Sequence, residues 1–81
     1  MNPRISIDPQ VQHGRPVIKG TRVPVIRLLG CIAERMTFEE TAAEYAVTVE
    51  DVAAALDFAA ELVELAQQRP VVAPQRNTVD G

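Results

Sequence analysis

The sequence predicts a mainly α-helical domain, three helices in a helix-turn-helix-like order behind a short N-terminal β-hairpin. Three observations carry this expectation. The hydrophobic period lengthens from two residues to about 3.6 at Val25, helix-capping signals follow at Thr37 and Thr48, and the long run after Val49 keeps helical spacing to Gln68.

Ile5-Ser6-Ile7 alternates apolar and polar residues and stops at Asp8-Pro9, the pattern of a short edge strand and turn. His13-Gly14-Arg15-Pro16 then leads into the β-branched pair Val17-Ile18, the turn Lys19-Gly20 and the run Thr21-Arg22-Val23, which together predict a tight hairpin ending at Pro24. In the first helix Val25, Leu28, Leu29, Ile32 and Met36 fall on one face, with Pro24 at its first position and Gly30 as a weak point inside it. Thr37-Phe38-Glu39-Glu40 has the capping-box form and opens a second helix running to about Ala46, with Phe38, Ala42 and Tyr45 inward. Thr48-Val49-Glu50-Asp51 repeats the box and opens the third. Two capped helices separated by so short a turn give the helix-turn-helix outline.

The third helix, Val49 to Gln68, is apolar over more than half its circumference. Val52, Leu56, Ala59, Val63 and Ala66 form one stripe; Ala55, Phe58, Leu62 and Leu65 form a second beside it; Glu50, Asp57, Glu61 and Glu64 fill the narrow remainder. A chain of 81 residues hides only about two-thirds of its unfolded surface. It cannot enclose both stripes, so a dimer or a complex is expected. Residues 1–68 are therefore read as the domain, and residues 69–81, with Pro70 and Pro74 around Val71-Val72, as a disordered tail able to order on a partner.

Composition narrows the function classes. Aromatic residues make up 4% of the chain, and Trp is absent, so no large ring-lined cofactor pocket is expected. The lone Cys31 excludes an internal disulfide and is read as a small filler; no cofactor or structural zinc is expected. The longest apolar stretch, Val52 to Leu56, is far below the roughly 18 residues of a membrane span, and no signal segment is recognised, so the expected location is cytoplasmic.

The net charge of −3 conceals segregation. Residues 1–35 carry six basic and two acidic groups, residues 36–68 carry eight acidic groups and no Lys or Arg, and residues 69–81 carry two basic groups and one acidic. A basic front end and an acidic rear suit a chain whose one face meets a polyanion while the other solvates or docks a basic partner. The first turn of the third helix (Val49, Glu50, Asp51, Ala54) has the wrong charges for phosphate. The cations sit instead in and after the hairpin: Arg15, Lys19, Arg22 and Arg27, with Thr21 as a hydroxyl donor. Arg22 has a competing structural reading, an ion pair with Glu40 or Glu44. Ser6, Asp8 and His13 are the only set resembling a catalytic triad, and Asp57, Glu61 and Glu64 the only acidic row, which reads as a solvated helix face rather than a magnesium site. Catalysis is not expected.

The stretch from His13 to Val25, with Gly14-Arg15-Pro16 and Gly20-Thr21-Arg22-Val23, resembles the domain-of-unknown-function family 433. The resemblance extends to the Ile5–Pro9 strand and turn, Met36 to Glu40, Tyr45 and the Glu50–Ala59 segment, roughly residues 5 to 60. It implies a relation to winged or modified helix-turn-helix antitoxins, often encoded beside a PIN-type toxin, that bind toxin and their own operator. Gly14, Pro16, Gly20, Thr21 and Arg22 are the motif residues carried over. Two departures stand out: Arg35-Met36 where the family usually has a glycine, and Ala46-Val47 where it has a proline, so both inter-helix turns are expected to be less sharp.

The resulting expectation is a dimeric antitoxin that neutralises a PIN-type ribonuclease and represses its own operator. Arg15, Lys19, Thr21, Arg22 and Arg27 are the expected nucleic-acid contacts; Phe58, Leu62, Leu65, Val71 and Val72 the expected partner contacts, unless the second stripe makes the dimer. The alternative is an adaptor of the same fold that binds protein and no DNA. A small hydrolase dependent on His13 is the third reading.

Overall fold

The computed structural model describes residues 1–68. Strand β1 (Ile5–Ser6) pairs antiparallel with β2 (Val17–Ile18), Ile5 opposite Ile18 and Ser6 opposite Val17. Helices α1 (Val25–Ala33), α2 (Phe38–Tyr45) and α3 (Val49–Gln68) follow, so the domain is mainly helical with a small N-terminal sheet. The expected tail, with Val71 and Val72, lies outside the described residues.

The sheet differs from the expected hairpin in its partner. β2 pairs with the distant β1, and the run after the Lys19-Gly20 turn meets it through the Val17–Pro24 bridge, the Ile18 amide, which donates to Val23 O at 3.0 Å, and the Ile18 carbonyl, which accepts the Thr21 amide at 3.0 Å, without forming a second strand. Pro24 halts the ladder there because it has no amide to offer. Pro24 is also the N-cap of α1 rather than its first helical residue, and the Val25 amide is satisfied by Pro16 O at 2.9 Å. That bond ties the helix start to the strand before it.

The core gathers Ile5, Ile18, Val25, Leu28, Ala54, Ala55 and Phe58, with Val23, Leu29, Tyr45 and Val47 packed around it. Cys31, off the expected stripe of α1, is nonetheless buried. Both capping boxes form as the sequence predicts. The Thr37 hydroxyl accepts the Glu40 amide at 3.0 Å and the Glu40 carboxylate accepts the Thr37 amide at 2.8 Å; Thr48 and Asp51 do the same at 3.0 Å each way.

The inter-helix turns are sharp despite lacking glycine and proline, contrary to expectation. Arg35 takes φ +72° and Ala46 φ +55°, both left-handed, while the Met36 amide returns to Cys31 O at 3.1 Å and the Val47 amide to Ala42 O at 3.0 Å. These are glycine-type helix endings made with residues that have a Cβ. The backbone hydrogen bonds and the packing of α1, α2 and α3 outweigh a strain of about 1 kcal/mol at each.

Burial on α3 is divided along the helix axis, not only between the two stripes. Val52, Ala54, Ala55 and Phe58 are buried, whereas every residue from Ala60 to Gln68 is exposed. The first half of the helix completes the core and the second half projects beyond it.

Candidate nucleic-acid and partner interfaces

The basic residues lie between positions 15 and 27: Arg15 just before β2, Lys19 and Arg22 in the turn after it, and Arg27 in the first turn of α1. Gly20 has φ +81°, which the turn requires and which L side chains rarely adopt. The Thr21 hydroxyl donates to Ile18 O at 2.7 Å and accepts the Val23 amide at 3.0 Å. Its polar capacity is spent holding the turn, so Thr21 is a structural residue of the expected set. Arg15, Lys19, Arg22 and Arg27 are exposed. Among the described residues the ion pairs are Met1–Glu61 and Arg4–Asp51, so Arg22 does not bridge to Glu40 or Glu44 and none of the four cations is neutralised.

The first turn of α3 is closed to base reading. Ala54 is buried, Glu50 is an exposed carboxylate, and Asp51 is held by the Thr48 cap and by Arg4 Nη1 at 3.0 Å. Partial burial pushes the Asp51 carboxyl upward, but the Thr48 amide, the Arg4 guanidinium and the Thr48 hydroxyl together outweigh it and hold the group below the ordinary carboxylate value. Asp51 therefore stays ionised. This helix end therefore carries negative charge, whereas Arg15, Lys19, Arg22 and Arg27 present exposed positive charge between positions 15 and 27.

The acidic face expected to be simply solvated has partners. Residues 1–4 run along α3, with the Met1 ammonium 3.6 Å from Glu61, Asn2 Nδ2 donating to Asp57 at 2.9 Å, and Arg4 on Asp51. Neither the Asn2 nor the Arg4 contact was evident in the sequence, since each partner lies about fifty residues away. The only available signal was that the front end carries the cations which the α3 region lacks.

The projecting half of α3 exposes Leu62, Val63 and Leu65 at 50, 59 and 51%. Phe58, expected among the partner contacts, is a core residue only 6% exposed, because the start of α1 packs against it. It still forms part of an apolar cleft of about 480 Å³ between α1 and α3, together with Arg15, Ile26, Leu29, Ala59 and Leu62. Ile26, 60% exposed, was not among the expected site residues. Its signal was that it is apolar yet falls off the core period of α1.

Among the other candidates, the Asp8 carboxylate accepts the Gln10 amide at 2.8 Å, His13 is exposed in a turn with φ +58°, and no hydrogen bond among the described residues joins Ser6, Asp8 and His13. No group of three or more His, Cys, Asp or Glu side chains with metal-binding geometry occurs among the described residues. Nor is any helix there long and apolar enough to cross a membrane.

Residues 5–59 match the family described as "Protein of unknown function (DUF433)". No curated protein matches the chain. A crystal structure of Rv2018 from Mycobacterium tuberculosis is similar, at 35% identity and a TM-score of 0.60 over 64% of this chain. The match covers 24% of the Rv2018 chain, so the present fold corresponds to about a quarter of that protein.

Proposed function

The chain belongs to the DUF433 family, and from that premise we propose that it is the antitoxin of a toxin–antitoxin pair, neutralising a PIN-type ribonuclease and binding its own operator as a dimer. The observation that carries this reading is the projecting half of α3, where three large apolar side chains stand in solvent on a domain whose core is already complete without them. Exposed apolar surface of this kind marks a protein-binding site. The toxin contacts are assigned to this arm, Leu62, Val63 and Leu65, and to Val71 and Val72 beyond it. Phe58 supports the arm from beneath.

Operator binding is assigned to Arg15, Lys19, Arg22 and Arg27, four exposed cations with no ion pair among the described residues, as phosphate contacts. In this reading the hairpin takes the role that the first turn of α3 plays in an ordinary helix-turn-helix. A second reading, a protein-binding adaptor without DNA, is favoured by the acidic and buried residues of that turn.

Co-expression tests the first reading. The intact chain is expected to relieve growth arrest by a PIN-type ribonuclease encoded beside it and to co-purify with it. A chain ending at Gln68 is expected to lose most of that protection. Full protection by the shortened chain removes residues 69–81 from neutralisation, and absence of any complex with the intact chain rejects the antitoxin reading. Binding to its own promoter fragment separates the antitoxin from the adaptor.

A further inference from the structure

The buried residues of α3, Val52, Ala54, Ala55 and Phe58, all lie in its first half, and residues 60–68 are exposed throughout. The family match stops at the same place, Ala59, so the stretch that builds the core and the stretch shared with the family end together. Among the described residues the arm is held to the body by Leu62, half exposed at the edge of the cleft, and by the 3.6 Å pair of Glu61 with the Met1 ammonium, whose groups are both solvated and contribute little. Asp57, Glu61 and Glu64 stand four and three residues apart, spacings at which like charges weaken a helix. Leu, Ala, Glu and Gln propagate a helix well, but a segment this short does not hold one alone in water. The arm is helical because it extends a helix that the core has already nucleated.

We propose that α3 consists of two energetically separate parts joined after Ala59: residues 49–59 unfold only with the domain, whereas residues 60–68 form an arm whose helix opens and closes while the domain stays folded. Opening the first half exposes Val52, Ala55 and Phe58 and breaks the Thr48–Asp51 cap, so it requires loss of the core. Opening the second half returns to water side chains that already stand in it, with only the covered part of Leu62 lost from the body. The arm is therefore the segment that sets partner choice without cost to the fold. Side chains at positions 62, 63 and 65 can be exchanged to suit a different apolar seat, a freedom that Val52, Ala55 and Phe58 lack. This role in partner choice rests on the antitoxin reading; the separation of the two parts does not.

Native-state amide hydrogen exchange on the full chain alone tests the separation. Amides of residues 56–59 are expected to exchange only with global unfolding, and those of residues 64–68 at least about a hundredfold faster. Ala53→Pro and Glu64→Pro place the same lesion at an exposed position of each half, removing one helical hydrogen bond and clashing with the preceding turn. Ala53→Pro is expected to abolish the cooperative thermal transition, whereas Glu64→Pro should leave the melting temperature within about 2 °C of wild type. Arm amides as protected as those of residues 56–59, or an equal loss of stability from the two prolines, overturn the proposal. Co-purification with the neighbouring ribonuclease reads the role in partner choice, and Glu64→Pro should lose most of the complex that the wild-type chain forms. A complex insensitive to Glu64→Pro removes that role from the arm, while absence of any complex with wild type rejects the antitoxin reading and leaves the exchange result standing by itself.

Discussion

Arg4 Nη1 donates to the Asp51 carboxylate at 3.0 Å, joining the residue before β1 to the first turn of α3 across 47 positions of sequence. The same carboxylate accepts the Thr48 amide at 3.0 Å, so one side chain caps α3 and anchors the N-terminal segment to it. Arg4 is half exposed, while Asp51 is largely covered. Removing the two partners should therefore have unequal effects. Arg4→Ala is expected to cost about 0.5 kcal/mol, the value of a solvent-screened pair. Asp51→Ala loses the reciprocal capping bond, Arg4 and the favourable charge at the helix start, and is expected to cost about 2 kcal/mol. Urea unfolding of the two variants checks the order.

Acid stability follows from the same group. The Asp51 carboxyl is held below its ordinary value of 3.8 in the fold, so the folded state binds its proton less readily than the unfolded chain. Its contribution is complete above that ordinary value and is lost as pH falls through the lowered one. Wild type should lose stability relative to Asp51→Asn as the solution is acidified below about pH 4. Parallel stability profiles for the two chains across that range would refute this.

Left-handed residues offer stabilising changes. Arg35 and Ala46 end α1 and α2 at φ +72° and +55°, where glycine is strain-free. Arg35→Gly and Ala46→Gly are each expected to raise stability by about 0.5–1 kcal/mol, part of the relief being offset by greater freedom of the unfolded chain. Thermal melting reads the sign.

Two other glycines should respond in opposite directions. Gly30 is helical, with open space where a Cβ would stand, so Gly30→Ala should stabilise by about 0.5–1 kcal/mol. Gly20 also has open space but sits at φ +81°, so Gly20→Ala should destabilise by about 1 kcal/mol through backbone strain alone. A measured Gly20→Ala of higher stability would mean that the turn is not held in this form.

Operator binding, if it uses the hairpin cations, is electrostatic and salt-sensitive. Arg15→Ala, Lys19→Ala, Arg22→Ala and Arg27→Ala should each lower the slope of log affinity against log salt by about one unit. Thr21→Ala should leave the slope unchanged and lower the melting temperature, because its hydroxyl serves Ile18 O and the Val23 amide. Unchanged slopes for all four cation variants favour the adaptor reading.

The helices and their starts were legible in the sequence because they are local. Apolar spacing set α1, α2 and α3, and Thr37–Glu40 and Thr48–Asp51 each satisfy their own helix start within a span of four residues. The segregation of charge and the excess of apolar surface on α3 were equally plain, since both depend on composition and period alone. Tertiary structure decided which residues those features leave available. It drew β2 to β1 instead of only to its neighbouring turn, enclosed Phe58 and Ala54, left Arg22 without an ion pair among the described residues, engaged the Thr21 hydroxyl with the backbone of its own turn, and set Arg4 and Asn2 on the acidic face of α3. None of these follows from spacing, because each is fixed by contact between segments far apart in the chain, and a helical period states which residues share a face but not how far along the axis the core extends.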